Sequence, residues 1–281
     1  MSPSRAMKTF TAALIQFQVA DDPEANLRRI EEGLREAAAR GAKLVCGPEL
    51  FLCPCTPESI SAHAAAIPGA LTGRLAELAR RHSVYFVPGS IPERREGGKP
   101  YNTLVAFGPD GSLIGAYRKR HLFRVEFRGS FAHDERDYLS PGCEPAPIIE
   151  TPLARIGTSI CYDLRFPEQT LRLALDGAEI IVVPSAFTKL TGQAHWHVLC
   201  RARAIETGCF LLAPDQAGTP PGGPARYGRS TIVGPWGDVL AVAGDGDEVI
   251  TAELPAESLA EARARMRSLA DRVRGDSVPE P

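Results

Sequence analysis

No stretch of this chain is apolar for long enough to cross a bilayer, and Met1 to Thr9 lack the apolar core of a secretory signal. Charge of one sign is lacking too. Against 32 Lys and Arg stand 34 Asp and Glu, and the formal net charge of −2 makes no global case for nucleic acid or an anionic membrane as partner. Regular cysteine spacing is also missing: the seven cysteines are odd in number and scattered, which is not a disulfide framework. Cys53-Pro54-Cys55 is too tight for a zinc pair and has no second Cys/His pair to complete a site, so neither metal nor other cofactor is expected. What remains is an ordinary globular composition, 44% hydrophobic and 23% charged, expected in the cytoplasm.

The apolar segments alternate between strand and helix. Lys8–Phe17 reads as a buried strand, after which Asp22 is a predicted N-cap with Pro23 at the first helical position. Leu27, Ile30, Leu34 and Ala38 keep helical spacing until Gly41 stops the helix. A strand at Ala42–Cys46, a helix from about Thr72 to His82 and a strand at Val84–Gly89 follow, then a hairpin of Tyr101–Phe107 and Leu113–Arg118. The second half repeats the order. Strands are predicted at Arg155–Cys161, Glu179–Val183 and Cys209–Ala213, helices at Pro167–Asp176 and His195–Thr207, and a hairpin at Ser230–Val233 and Val239–Ala243.

Residues repeat as well. Gly41-Ala-Lys-Leu-Val-Cys-Gly-Pro48 reappears as Gly177-Ala-Glu-Ile-Ile-Val-Val-Pro184, and Gly108-Pro-Asp-Gly-Ser-Leu-Ile114 as Gly234-Pro-Trp-Gly-Asp-Val-Leu240. Two matches in one order at similar offsets point to two related halves, intertwined in one α/β domain over residues 8–274 with two sheets and helices on their outer faces. Residues 1–7 and 275–281 are expected to be flexible. Arg120–Glu150 reads as a long charged loop, Ala217–Arg229 as a Gly/Pro-rich one, and Glu257–Arg274 as a polar amphipathic helix.

Chemistry gathers at the predicted strand ends, where α/β folds place their ligands. Cys161 ends a strand, and Pro167 opens a helix just beyond it. Backbone N–H groups and a helix N-terminus near a cysteine lower its pKa and stabilise an oxyanion. Glu49 follows a strand and precedes Leu50-Phe51-Leu52, an apolar setting that raises a carboxyl pKa towards that of a general base. Lys119 follows another strand and offers fixed positive charge. Glu135 looks like surface loop. None of the six histidines sits in a papain-like context, so a Cys–Glu–Lys arrangement stands beside Cys–His as an alternative.

These residues lie in motifs that resemble the nitrilase, or carbon–nitrogen hydrolase, superfamily: Gly47-Pro-Glu49-Leu50, Tyr117-Arg-Lys119-Arg-His121-Leu-Phe123, Ile160-Cys161-Tyr-Asp-Leu-Arg165-Phe-Pro-Glu168 and Pro184-Ser-Ala-Phe-Thr188. The resemblance runs from about Lys8 to about Arg272. It implies an αββα sandwich that forms a four-layer αββα-αββα homodimer or a higher homo-oligomer. It also implies the catalytic residues Glu49, Lys119, Cys161 and Glu135. In the implied mechanism Glu49 takes the thiol proton, Cys161 attacks an amide carbonyl, and Lys119 and the Tyr162 N–H hold the oxyanion.

The residues after the cysteine resemble the Nit amidase branch, which acts on small carboxylate- or α-keto-acid-bearing amides. Arg165 is then expected to pair a substrate carboxylate, unless it pairs with Asp163 or Glu168 instead. Ser185, Phe187 and Thr188 are expected to line the pocket with Tyr162. Arg124, His197 and Asp215 depart from the branch pattern. An N-carbamoyl amino acid amidohydrolase or a nitrilase is the alternative activity, and a non-catalytic scaffold member of the family is a second alternative.

Overall fold

In a computed structural model, described for residues 6–127 and 131–273, two six-stranded sheets are laid face to face. The first half contributes β1 (Phe10–Gln16), α1 (Pro23–Ala39), β2 (Leu44–Cys46), α2 (Pro57–Ala62), α3 (Ala70–His82), β3 (Tyr85–Glu93), β4 (Tyr101–Phe107) and β5 (Leu113–Arg118). A small hairpin, β6 (Arg124–Phe127) and β7 (Phe131–Asp134), leads to β8 (Ile148–Glu150). The second half runs through β9 (Arg155–Thr158), α4 (Pro167–Leu175), β10 (Ile180–Val182), α5 (Lys189–Thr207), β11 (Phe210–Ala213), β12 (Thr231–Val233) and β13 (Val239–Val242). β14 (Glu248–Leu254) and α6 (Ala256–Arg265) close the chain.

The sheet orders are β14-β1-β2-β3-β4-β5 and β13-β12-β11-β10-β9-β8. Each has three parallel strands at its centre and antiparallel strands outside them. The parallel strands are buried along most of their length and largely apolar, because both faces are covered. In β1, Ala12 and Leu14 point to the core between the sheets, while Ala13 and Ile15 join Leu27, Ile30 and Leu34 of α1. The two-residue period thus divides one strand between two layers, and the architecture is the expected αββα sandwich.

The internal repeat is visible in the backbone. Gly111 and Gly237 both have positive φ and both donate to the glycine three residues earlier at 2.9 Å. The equivalent strand ends meet across the sandwich, where the Glu49 N–H donates to the Ser185 carbonyl at 3.3 Å. Within the first sheet, Gly89 lets β3 lie close against Pro48: with φ +116, a Cβ there would lie 1.8 Å from the Pro48 carbonyl oxygen.

Several boundaries differ from the sequence expectation. The strand expected to run to Cys161 ends at Thr158, because the Ile160 N–H goes to Asp163 Oδ2 at 3.0 Å rather than to a ladder partner. A 3₁₀ turn, Cys161–Arg165, then begins at the cysteine itself. Helix α5 starts at Lys189, six residues before the expected His195, because Thr188 caps it by accepting from the Thr191 N–H. Helix α6 stops at Arg265, not Arg274, with Leu259 and Ala262 its buried contacts. Arg120–Glu150 is not a plain loop, since it holds β6, β7, the 3₁₀ turn Glu135–Asp137 and β8. At the N-terminal end Met7, expected to be flexible, is buried and donates its N–H to Glu179 at 3.1 Å. The expected C-terminal tail, 275–281, lies outside the described residues.

Candidate active site

Glu49, Lys119, Glu135 and Cys161, far apart in sequence, form one buried network. Glu49 stands beyond the end of β2, Lys119 directly follows β5, and Glu135 opens the 3₁₀ turn after β7. The Lys119 ammonium donates to Glu49 Oε1 at 2.8 Å and to Glu135 Oε1 and Oε2 at 3.0 and 2.8 Å. Its side chain is wholly buried. Burial alone would push its pKa down, but the charges of Glu135 and Glu49 outweigh it and hold the ammonium well above its ordinary value. Burial, relieved in part by Lys119, raises the Glu135 carboxyl.

Cys161 lies against this group. Its backbone has φ +44, a left-handed conformation that costs a non-glycine residue about 1–3 kcal/mol. It is pinned there by its own N–H on the Pro184 carbonyl at 2.9 Å. The thiol bonds the Glu49 side chain and receives a backbone bond from Ala186. Burial pushes the thiol pKa well up, the Glu49 charge adds to this, and Lys119 only partly opposes it. The sequence expectation of a lowered thiol pKa is not met in the resting site: desolvation of the buried Cys161 exceeds the help from local dipoles. The thiol rests protonated beside a carboxylate that can take its proton as it attacks.

Two residues that sequence reading missed hold this geometry. Asn102, inside β4, donates from Nδ2 to Glu49 Oε1 at 2.8 Å and accepts the Lys119 N–H on its carbonyl. Oε1 is thus engaged by both Lys119 and Asn102, which fixes the Glu49 carboxyl beside the thiol that it bonds. Nothing separates Asn102 from its strand neighbours in the sequence. Asp163, fully buried, accepts from the Tyr117 hydroxyl at 2.8 Å and sits 2.7 Å from His121 Nδ1. It thus braces the turn that carries Cys161. Its place two residues after the cysteine was the available signal.

The network opens on a cavity of about 640 Å³. Its lining includes Glu49, Glu135, Cys161, Tyr162, Arg165, Phe187 and Thr188. Ser185 is not among them: its hydroxyl donates to the Val183 carbonyl at 2.9 Å and is wholly buried. That turns the side chain into the protein, and the contact with the site is through the Ser185 carbonyl. Arg165 makes neither of the ion pairs weighed for it. Among the described residues no carboxylate lies within 4.0 Å of its guanidinium. It donates instead to His195 Nδ1 at 3.1 Å, with the Phe187 ring 5.2 Å away. Burial pushes its pKa down from the ordinary value.

A second arginine, Arg226, also lines the cavity. It comes from the Gly/Pro-rich loop Ala217–Arg229, which stands out in the sequence, although nothing there singles out Arg226 itself. Of the histidines, His133 lines the cavity, with Nε2 2.9 Å from the Tyr138 hydroxyl, while His121 is turned to Asp163. Arg124 is exposed at the start of β6, and His197 packs edge-on to Tyr227 at 6.0 Å in a separate surface hollow. Among the described residues no group of three or more His, Cys, Asp or Glu could hold a metal ion.

Comparison with known proteins agrees with this architecture. The carbon–nitrogen hydrolase family profile matches residues 11–264. The chain is 39% identical to the Homo sapiens omega-amidase NIT2 over 260 residues, 92% of this chain and 94% of that one. Among solved structures, Saccharomyces cerevisiae Nit3, a member of branch 10 of the nitrilase superfamily, superposes with a TM-score of 0.85 at 32% identity, covering 95% of this chain and 97% of that one. A mutant of the amidase from Nesterenkonia sp. AN1, with the acetamide moiety of fluoroacetamide covalently added at its active site cysteine, gives 0.80 at 27% identity, covering 97% and 96%. The chain belongs to the carbon–nitrogen hydrolase family and is an enzyme that hydrolyses amides through a cysteine.

Proposed function

We propose that the chain hydrolyses the side-chain amide of a small acid bearing a carboxylate or α-keto-carboxylate, releasing ammonia by way of a thioester on Cys161. The observation that carries this reading is a cationic Arg165, without a carboxylate of its own, in the cavity that holds the Cys161–Glu49–Lys119 network. Glu49 takes the thiol proton while sulfur bonds the amide carbon. The oxyanion forms beside the Lys119 ammonium and the Tyr162 N–H, which belongs to a first helical turn and so has no partner within it. Collapse expels ammonia with the proton that Glu49 held. Water, deprotonated by Glu49, then cleaves the thioester and restores the thiol. Glu135 keeps the ammonium aligned and serves as a positioning residue.

The omega-amidase relatives support this reading over a carbamoylase or a nitrilase. The complete charged network weighs against a scaffold, because burying three charges destabilises a protein that has no use for them. The test is ammonia release from succinamate and α-ketoglutaramate against neutral butyramide. A preference for the acids of about tenfold or more is expected from one charged hydrogen-bonded pair. Faster release of carbon dioxide from N-carbamoyl amino acids, or faster hydrolysis of an arylacetonitrile, would reject the proposal. So would the lack of any turnover by folded protein.

The assembly belongs to the same proposal. Leu190, Val198 and Ile205 stand exposed on α5, and Trp236, Val239 and Val242 are exposed on the β12–β13 hairpin. The two surfaces adjoin, since Arg201 Nε donates to the Gly237 carbonyl at 2.7 Å. Pairing of this face with a second copy buries apolar surface that a lone monomer rarely shows. Light scattering is expected to report a dimer or larger, and Val198→Glu with Ile205→Glu to shift it to monomer. A wild-type monomer at micromolar concentration contradicts this. The seven free cysteines fit a reducing compartment, the cytoplasm. Among the described residues no helix is long and apolar enough to cross a membrane.

A further inference from the structure

Arg226 is a buried cation that the reaction outlined above does not use. Its backbone is fastened to the cavity wall: the Arg226 N–H donates to Gly218 at 2.7 Å, and the next N–H, of Tyr227, donates to Phe187 at 2.9 Å. The residue is 8% exposed. Nη1 donates to the Ala186 carbonyl at 2.9 Å, and the buried Nε has no partner. Among the described residues no carboxylate lies within ion-pair distance of it. A guanidinium has five N–H donors, so most of its capacity is unspent. A buried charge without a counter-ion is costly, and an arriving anion removes that cost.

The carboxyl groups nearby do not supply the counter-ion. Glu49 and Glu135 are committed to Lys119. Asp215 feels Arg226, but its Oδ1 accepts the Phe187 N–H at 2.8 Å and its Oδ2 has no partner. Burial pushes that carboxyl well above the usual range, and no ion pair joins it to Arg226. Asp21, Glu58 and Asp137 at the cavity rim are exposed and hydrated, and Asp134 is taken by Arg136.

Both cavity arginines touch the same short wall, Arg226 through the Ala186 carbonyl and Arg165 over the Phe187 ring. The Ala186 backbone also bonds the Cys161 thiol. We propose that Arg226 is a second anion-binding residue of the cavity, so that the preferred substrate is a short amide carrying two carboxylates, one for each guanidinium. This rests on the carboxylate-bearing amide reading above and narrows it.

The test uses a matched pair of primary amides, glutaramate and the terminal monoamide of tricarballylic acid, which differ by one carboxylate. Wild-type kcat/KM is expected to favour the tricarballylic monoamide by about 10- to 100-fold, the effect of one charged hydrogen-bonded pair. Arg226→Gln should erase that ratio mainly through KM, and Arg226→Lys should restore part of it. Equal use of the two amides by the wild type, with hydrolysis still dependent on Cys161, overturns the second anion site and leaves the broader function standing. A ratio that survives Arg226→Gln also overturns the assignment. If neither amide is hydrolysed, the broader function fails, and calorimetry decides the site: tricarballylate should bind wild type at least tenfold more tightly than glutarate, and equal binding refutes it. If Arg226→Gln does not fold, Arg226→Lys and the wild-type calorimetry carry the test.

Discussion

Cys161→Ala is expected to lower amide turnover by about five orders of magnitude or more, the loss typical of a missing nucleophile. The folded state should survive. Alanine loses only the sulfur, keeps the N–H that bonds the Pro184 carbonyl, and adopts φ +44 at about the same strain as cysteine. Removing one buried heavy atom costs on the order of 1 kcal/mol. Ammonia release, circular dichroism and an acyl-enzyme mass increase seen in the wild type alone make up the measurement. Activity within tenfold of wild type would place the nucleophile elsewhere. The resting thiol gives a reason why the loss is not shared by other cysteines. With burial keeping Cys161 protonated, attack requires a base in contact, and Glu49 is in contact with this thiol.

Lys119→Met should be the most destabilising single change at the site. It leaves Glu49 and Glu135 buried at 2% and 5% exposure with no cation between them. Breaking a buried pair by removing one partner costs about 3–5 kcal/mol, because the other charge remains. The loss should depend on pH. Glu135 is already held above its ordinary value of 4.5 by burial, and loss of the Lys119 charge removes the largest influence pulling it down. A carboxyl whose folded pKa exceeds its unfolded pKa binds more protons in the folded state, so stability falls as pH rises from the unfolded value through the folded one. The variant should therefore be weakest at neutral and alkaline pH and recover towards pH 4.5. Urea unfolding at mildly acidic and mildly alkaline pH measures this, and Lys119→Met with Glu135→Gln should regain part of the loss. A Lys119→Met protein as stable as wild type at both pH values would mean that the three charges are not coupled. Amide turnover should vanish with Lys119 even where the variant is folded, since the oxyanion loses its fixed cation.

Local chemistry was legible where one residue dictates its own surroundings. Asp22 does cap α1, accepting from the Glu24 N–H at 2.9 Å, and Pro23 opens that helix. The β4–β5 hairpin falls at the expected residues because a Gly-Pro-Asp-Gly turn leaves a two-residue period little choice. Where one long-range hydrogen bond decides a boundary, the sequence was silent. Asp163 ends β9 early by taking the Ile160 N–H, and neither residue announces it. The charged segment after Lys119 hid the β6–β7 hairpin, since Arg124, Glu126, His133 and Asp134 blur any apolar alternation.

The strand-end residues Glu49, Lys119 and Cys161 could be nominated from the sequence, because buried strands that end in reactive or charged side chains are uncommon. Only the tertiary structure decided that the thiol rests protonated, that Asn102 orients Glu49, that Ser185 turns away and that Arg226 turns in. Each of these depends on which groups exclude water from a shared volume, and desolvation belongs to an assembled cavity rather than to any stretch of chain.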